Sequence, residues 1–266
     1  STQGYSSAAS DVYKRQIIMI VAIILIVVLT GFVGYTIYQK VTFKKQNPIV
    51  TMEIEGIGTM KLELYPDQAP NTVANFITLA NRGFYDGLTF HRIVKDFMVQ
   101  GGDKDGTGSG SPTLSAIEDG ASETENYAIK GEFVQNGFNK NTIRHEKGVI
   151  SMARSDYSQM GLYEEGYNSA GSQFFIMTGD NATLNGYYAA FGKVIEGMEV
   201  LDKLNETEVT TADETEGAEA SKPVNPPVIK SVRVDTFGVD YGKPNTVKTF
   251  DYNSYLQQMY SGMSGM

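Results

Sequence analysis

The densest group of side chains that could do chemistry lies in Leu88–Asp103, which reads LTFHRIVKDFMVQGGD. One cation, Arg92, stands among apolar neighbours, and Phe97, Met98 and Gln100 follow close behind it. A guanidinium fixed beside an apolar pocket could donate hydrogen bonds to an atom that gains electron density during a reaction. An arginine between aliphatic residues also often only extends its head into water. The spacing alone leaves both interpretations open.

Composition excludes several other kinds of chemistry. The chain has 266 residues, a net charge of −9 and no Cys, so a disulfide framework, a thiolate nucleophile and a Cys-ligated metal are excluded. His91 and His145 are the two histidines, too few for a multi-His metal site within one chain. The acidic balance argues against nucleic acid as a partner. We predict no metal site and no cofactor.

Short alternating segments surround Arg92. Thr89–Val94 and Phe97–Gln100 are typical of strands, and a Gly-Gly pair ends the second one. Ile49–Glu55 and Gly58–Tyr65 predict a hairpin. A helix is expected after Pro70, because Val73, Phe76, Ile77 and Ala80 form one apolar face, with Asn71 as its cap. A second short helix is expected over Gly197–Leu204.

The segment Ile17–Tyr38 is almost unbroken apolar sequence, long enough to cross a bilayer as one helix. A buried helix would show a polar stripe, which is missing. A cleaved signal peptide would have a shorter apolar region and a small-residue cleavage site. Tyr38, Lys40, Lys44 and Lys45 follow here instead, as aromatic and basic residues do at a membrane interface. We predict an uncleaved signal anchor; the flanking charges are nearly balanced and do not fix its orientation.

Other segments lack a regular period. Residues 1–16 are polar and predict no packed element; one interpretation is that they are not native to the domain. We expect Gly106–Gly110 to be a flexible loop and the acidic stretch 205–227 to be a mobile surface excursion. The tyrosines of Asp156–Tyr167 either pack that loop against the domain or widen a binding groove. The last strand is predicted over Val228–Val234.

Two long motifs carry a resemblance. FHRIVKDFMVQGGD, at residues 90–103, and NSAGSQFFIMT, at residues 168–178, resemble sequences of the cyclophilins, which are peptidyl-prolyl isomerases. The similarity covers roughly Ile49 to Val234, with the motifs in the family's order. It implies a mainly β fold, an eight-stranded antiparallel barrel capped by two helices, here preceded by one N-terminal transmembrane helix as in bacterial membrane-anchored forms. Strand patterns and two helical patterns are compatible with a barrel but do not distinguish it from a sandwich.

The resemblance also implies an organisation and a site. The predicted parts are a polar segment (1–16), a transmembrane signal anchor (17–38), a linker (39–48), a cyclophilin-like domain (49–237, with the acidic loop 205–227) and a C-terminal tail (238–266). The implied catalytic residues are Arg92, Gln100 and Phe97. The implied substrate-binding residues are Met98, Gly106, Ala153, Arg154, Gln173, Phe175, Leu184 and Tyr188. The family commonly has Asn where Arg154 stands, and many members have Trp and His where Thr183 and Tyr188 stand.

The function implied is isomerisation of X–Pro peptide bonds, which assists the folding of exported or surface proteins. The expected partners are proline-containing polypeptides and the membrane, through Ile17–Tyr38. We expect a monomer, a single-pass cell-membrane protein whose domain is extracytoplasmic. A non-catalytic proline-peptide binding module, or a chaperone at the cell surface, is the alternative. The presence of Arg92, Phe97 and Gln100 favours the enzyme.

Overall fold

A computed structural model describes residues 3–42, 46–211 and 219–263. The chain divides into two compact units, Ser1–Gln46 and Asn47–Met266. The first unit contains one helix, and the second contains the strands and the remaining helices that the structure describes.

Helix α1 (Gln3–Thr42) contains a 29-residue apolar segment, Asp11–Gln39, within which an 18-residue window has a mean hydropathy of 3.1. Its length and composition suit a membrane span, and a signal sequence near an N-terminus has the same properties. The hydroxyl of Thr30 donates to the carbonyl of Ile26 at 2.9 Å, so this polar group is satisfied within the helix. The helix also includes most of the polar segment 1–16, for which no element was predicted, because an established helix extends readily into neighbouring residues. Lys44 and Lys45 lie outside the described residues.

The described part of the second unit has twelve strands and four α-helices. The strands are β1 (Ile49–Ile54), β2 (Gly58–Leu64), β3 (Phe90–Val94), β4 (Met98–Gly101), β5 (Tyr127–Ala128), β6 (Val149–Met152), β7 (Phe174–Met177), β8 (Ala190–Glu196), β9 (Val209–Thr211), β10 (Ala220–Pro223), β11 (Ile229–Asp235) and β12 (Val247–Lys248). The helices are α2 (Pro70–Asn81), α3 (Tyr163–Tyr167), α4 (Met198–Asn205) and α5 (Tyr252–Met263).

Eight strands form one antiparallel sheet in the order β11-β1-β2-β8-β6-β7-β4-β3. The sheet curls until its edges meet. The N–H of Ile229 donates to the carbonyl of Leu88 at 2.7 Å, and the N–H of Phe90 donates to the carbonyl of Pro227 at 2.9 Å. Helix α2 packs against β11, and α4 packs against β2, β3 and β4. The predicted eight-stranded antiparallel architecture is confirmed, with closure limited to the starts of β3 and β11.

Two apolar clusters divide the interior, and strand β7 contributes to both. Phe174 and Ile176 belong to the main core, where the ring of Phe174 meets that of Phe76 on α2 at 5.7 Å. Phe175 and Met177 point to the opposite face, as strand alternation requires. They belong to a second, smaller cluster, which we call the socket cluster: Val94, Met98, Val149, Phe175, Met177 and Ala190.

The N-terminus of α2 differs from the prediction. Asn71 is not its cap, because the helix begins at Pro70 after Ala69. The carboxylate of Glu132 accepts the backbone N–H groups of Asn71 at 3.0 Å and of Thr72 at 2.7 Å. Glu132 is almost fully buried, and its carboxylate interacts favourably with the positive end of the helix dipole. A residue 60 positions away in sequence therefore replaces the local cap.

The acidic stretch 205–227 is more ordered at its two ends than predicted. Strands β9 and β10 pair with each other, and β10 packs beside β3. Residues 212–218, the centre of the stretch, lie outside the described residues. This hairpin brings polar and charged side chains to the strand that carries Arg92.

The predicted C-terminal tail (238–266) contacts the domain at two places. Strand β12 pairs with β5. Tyr252 of α5 stacks on Tyr157 at 5.0 Å with an interplanar angle of 9°, and Phe250 also contacts Tyr157 at 5.6 Å. This part of the 156–167 loop therefore packs against the C-terminal segment, a partner that neither interpretation of its tyrosines included.

Candidate functional site

Three predicted site residues form one row across the sheet. Arg92 of β3 pairs with Gln100 of β4, and Gln100 pairs with Phe175 of β7. Residues directly opposite each other in antiparallel strands point to the same face. The register therefore places a cation, an amide and an aromatic ring side by side. The pairing of β3 and β4 shifts between Phe90 and Arg92, a bulge that redirects the strand where the row begins.

An apolar cavity of about 240 Å³ lies over this row. We call it the proline socket, after the prediction made for its residues. All nine of its lining residues are among the eleven predicted site residues: Arg92, Phe97, Met98, Gln100, Ala153, Arg154, Phe175, Leu184 and Tyr188. Met98 and Phe175 of the socket cluster line it, and the rings of Phe175 and Tyr188 meet edge to face at 5.7 Å.

A strained turn carries Phe97 to the rim of the socket. Asp96 adopts a positive φ of 58°, which few residues other than Gly, Asn and Asp accept. Asn205, at the end of α4, accepts the Asp96 N–H at 2.8 Å and donates to its carboxylate at 3.0 Å. The carbonyl of Phe97 also accepts the N–H of Thr178 at 2.9 Å. These contacts fix the turn between β3 and β4.

A chain of side-chain amides supports Arg92. Nε2 of Gln173 donates to the carbonyls of Gly108 and Gly110, both at 3.0 Å, so its Oε1 is left to accept from Nε2 of Gln100 at 3.0 Å. The orientation of Gln100 follows: its Oε1 faces Nη1 of Arg92 at 3.5 Å. We call this sequence the amide chain. It connects Arg92 to the glycine-rich loop.

That loop is built around Asp103, which sequence reasoning did not single out. One oxygen of its buried carboxylate accepts the backbone N–H groups of Thr107, Gly108 and Gly110 at 3.0, 2.6 and 3.2 Å, and the other accepts that of Asp105 at 2.9 Å. Burial raises the pKa of Asp103, but the backbone N–H donors outweigh it and leave the pKa below the usual value. The loop is thus held, in contrast to the expected flexibility. An Asp just before a glycine-rich run was the available signal.

Gly106 and Gln173, the two remaining predicted site residues, lie beside the socket. Gly106 borders a cavity of about 450 Å³ with His91, Arg92 and Gln100. Gln173 lines a second cavity, of about 180 Å³, together with Gln100, Arg154 and several serines; we call it the polar pocket. The structure thus brings all eleven predicted residues to one continuous surface.

Both histidines lie beneath this surface. His145 stacks on Phe175 at 6.0 Å, and its Nε2 lies 3.0 Å from the hydroxyl of Ser151. Both ring nitrogens of His91 are buried without a hydrogen-bond partner among the described residues. Burial is the main cause that lowers the pKa of each ring. Both imidazoles are therefore neutral near pH 7 and support the site as packing groups.

Thr183 and Tyr188 are the two positions at which this chain carries a residue different from that of many family members. Tyr188 forms a wall of the socket. Thr183 is exposed and does not line it, because its hydroxyl donates to the side chain of Asn181 at 2.5 Å and closes a local turn. Arg154 lines both the socket and the polar pocket.

The acidic hairpin reaches Arg92 directly, which the sequence did not indicate. Oε2 of Glu219 lies 3.5 Å from Nη2 of Arg92, with 41% of the Arg92 side chain and 61% of the Glu219 side chain exposed. Ser221 and Lys222 form a wall of the cavity that contains Arg92 and Gly106. The β9–β10 hairpin therefore lines the same cavity as Arg92 and Gly106.

Comparison with known proteins identifies the family. The sequence model described as "Cyclophilin type peptidyl-prolyl cis-trans isomerase/CLD" matches residues 49–234. The chain belongs to the cyclophilin family. It is a peptidyl-prolyl cis-trans isomerase, as the resemblance of its two motifs implied.

Individual cyclophilins resemble it over most of their own length. Peptidyl-prolyl cis-trans isomerase B of Bacillus subtilis is 39% identical over 164 residues, 62% of this chain and 95% of that protein. A putative peptidyl-prolyl cis-trans isomerase of Staphylococcus haemolyticus is 34% identical over 181 residues, 67% of this chain and 87% of that protein. The crystal structure of a Cryptosporidium parvum cyclophilin in the presence of the dipeptide Ala-Pro matches with a TM-score of 0.54 and 28% identity, over 70% of this chain and 98% of that one. Helix α1 lies outside the residues that the family model matches.

Proposed function

We propose that this cyclophilin assists the folding of exported or surface proteins, and that Arg92 promotes rotation about their X–Pro bonds. Uncatalysed rotation takes tens to hundreds of seconds because amide resonance opposes twisting. In the twisted state the proline nitrogen becomes pyramidal and gains a lone pair. A fixed cationic donor stabilises that lone pair more than it stabilises either planar isomer. No bond is made or broken, so the step needs neither a nucleophile nor a general base.

The remaining residues have supporting roles in this proposal. The socket holds the proline ring over Phe175, between Phe97 and Tyr188. Gln100 orients Arg92 or holds the substrate carbonyl. The single observation that carries the proposal is the row in which Gln100 pairs with both Arg92 and Phe175, because it places a donor beside an apolar site.

Arg92→Ala tests the mechanism. Loss of one preorganised donor should reduce kcat/KM about 10²- to 10³-fold. NMR exchange spectroscopy of a Pro-containing peptide measures the rate without an auxiliary protease. Arg144→Ala is the matched control, since Arg144 is exposed and outside the socket. Near-normal turnover by folded Arg92→Ala would contradict the mechanism; peptide binding without turnover by the wild type would favour the binding-module alternative.

We also propose that α1 anchors the protein in the cell membrane in a single pass, with a monomeric domain on the extracytoplasmic side. An apolar helix of this length is stable across a bilayer. The intact chain should remain in the membrane fraction after high-salt washing, and protease added to whole cells should remove the domain. A soluble mature form would mean that the segment is a cleaved signal, and full protection would place the domain in the cytoplasm.

A further inference from the structure

Arg154 is held more tightly than an ordinary surface arginine. Its Nε donates to the carbonyl of Tyr187 at 3.0 Å, and its Nη1 donates to the carbonyl of Ser155 at 2.9 Å. Its guanidinium carbon also lies over three aromatic rings, 4.5 Å from the centroid of Tyr188, 5.0 Å from Tyr167 and 5.6 Å from Phe133. Stacking on rings and two backbone acceptors restrict both the position and the plane of the cation.

This cation lies where two cavities meet. Gln100, Ala153 and Arg154 line both the proline socket and the polar pocket. The polar pocket is otherwise walled mainly by small and hydroxyl-bearing residues, among them Ser109, Ser111, Ser155, Ser169 and Ser172. Such a wall leaves room for a side chain and supplies hydrogen-bonding groups. A peptide with its proline in the socket can therefore reach the polar pocket with a nearby residue.

Arg154 forms no ion pair within 4.0 Å with a carboxylate of the described residues, although it lies near enough to Asp156 to help lower the pKa of that carboxyl. Among the arginines of the described residues after Gln46, the other four have a carboxylate oxygen within 4.0 Å, in the pairs Arg82–Asp119, Arg92–Glu219, Arg144–Glu146 and Arg233–Asp86. Arg154 has none among those residues, and its Nη2 donates to none of them. An oriented guanidinium with free N–H groups is suited to a planar carboxylate.

We propose that Arg154 is a specificity-determining residue, which selects clients with an Asp or Glu within about three residues of the isomerised proline, a reach set by roughly 3.5 Å per extended residue. The acidic side chain enters the polar pocket and pairs with the free edge of the guanidinium. This inference rests on the proposed function in one respect, that the socket receives the proline. It adds a preference to an activity that Arg92 carries out.

The test uses peptides with one proline and a single Glu, Gln or Lys at each of the three positions on either side. NMR exchange gives kcat/KM for each peptide. At one position or more, the wild type should turn over the Glu peptide roughly five-fold faster than the Gln peptide, as for a partly exposed charged contact, and the Lys peptide more slowly. The preference should shrink as salt is added, because salt screens an accessible pair.

Arg154→Met retains most of the stem without the charge, and its Glu-to-Gln ratio should fall to about one. The ratio compares two peptides on one variant, so a general loss of turnover does not affect it. Arg154→Lys keeps a charge without the planar fork and should retain part of the preference. Arg144→Met removes an exposed arginine outside both cavities and should keep the wild-type ratio.

Two outcomes would overturn the inference: equal rates for Glu and Gln peptides at every position in the wild type, or a preference that survives in Arg154→Met. Either outcome would show that Arg154 has only a packing role, against the rings of Tyr167 and Tyr188. A wild type that accelerates exchange in none of the peptides would instead contradict the proposed function. If Arg154→Met does not fold, Arg154→Gln supplies a second neutral variant, and a wild-type Glu-to-Gln ratio in that variant would equally overturn the inference.

Discussion

The two arginines of the groove are held in opposite ways. Arg92 is positioned by hydrogen bonds through the amide chain, and it forms an ion pair with the exposed carboxylate of Glu219. Arg154 is positioned by three rings and two backbone carbonyls, and it forms no ion pair with a carboxylate in the described part of the chain. In the proposed mechanism, polar support would let Arg92 exchange partners when a substrate arrives, whereas packing would hold Arg154 in place. The surroundings of a cation, more than its charge, therefore indicate what it does.

Among the changes that distinguish the two arginines, the largest effect should come from Asp103, which holds the glycine-rich loop at the far end of the amide chain. Asp103→Ala leaves several loop N–H groups without their acceptor, so the free energy of unfolding should fall by about 2–3 kcal/mol. Turnover should fall as well, because Gly108 and Gly110 anchor Gln173. Urea unfolding followed by circular dichroism measures the first effect. Asp105→Ala is the matched control, since its carboxylate accepts no hydrogen bond from the described residues; equal losses in both variants would contradict this role.

Asp103 also predicts a pH dependence. Because its pKa in the folded protein is lowered, its contribution to stability is complete above the unfolded-state pKa of about 3.9 and is lost as pH falls through the lower folded-state value. The wild type should therefore lose more stability than Asp103→Asn between about pH 4 and pH 2. Parallel loss in the two proteins, measured by urea unfolding at each pH, would exclude Asp103 as the titrating group.

The support of Arg154 can be broken without touching the amide chain. Tyr167→Ala removes one stacked ring and an edge-to-face contact with Phe133 at 5.3 Å, so stability should fall by about 1–2 kcal/mol. Tyr167→Phe keeps the ring and should remain near wild type. Thermal unfolding compares the variants. If both were equally destabilised, the hydroxyl rather than the ring would hold Arg154.

Gln173→Ala should act on turnover through Arg92. Without Gln173 the amide of Gln100 is free to rotate, and kcat/KM should fall about five- to ten-fold, or roughly 1–1.4 kcal/mol. The same substitution in an Arg92→Ala background should change little, because the donor that it positions is gone. Gln135→Ala, at an exposed position, is the control. Additive effects in the double variant would mean that Gln173 contacts the substrate independently.

The smallest effect concerns Glu219. Exposed ion pairs contribute about 0–1 kcal/mol, so Glu219→Gln should raise kcat/KM at most about five-fold at low salt, and the difference should vanish at high salt. Glu206→Gln removes a charge that pairs with Lys95 instead and should not change turnover. A decrease on Glu219→Gln would mean that the carboxylate assists Arg92 rather than competing with substrate.

The strands could be predicted because their period of two is a local signal, whereas the socket residues were implied by the resemblance of two motifs to a known family. Arg92 and Gln100 lie in the first motif and Phe175 lies in the second, and the strand register brings the three together. The side-chain role of Arg154 could not be predicted, since Phe133, Tyr167 and Tyr188 come from three separate segments.

The other differences between the predicted and the observed structure also arise from contacts between segments that are distant in sequence. Glu132 caps α2 from a distant loop, so no pattern near Asn71 reveals it. The C-terminal segment shows no regular period because β12 and Tyr252 contact other irregular segments rather than a flat sheet face. The ordering of β10 beside β3 depends equally on a tertiary contact. Long-range contacts of this kind produce no periodic pattern of residues in the sequence.

The division of the interior at β7 bears on how such proteins diversify. Phe174 and Ile176 hold the main core, while Phe175 and Met177 face the socket cluster, so the two sets share a backbone but not a packing environment. We therefore expect substitutions at Phe175 in related chains to change the packing around the socket, whereas substitutions at Phe174 would change the main core.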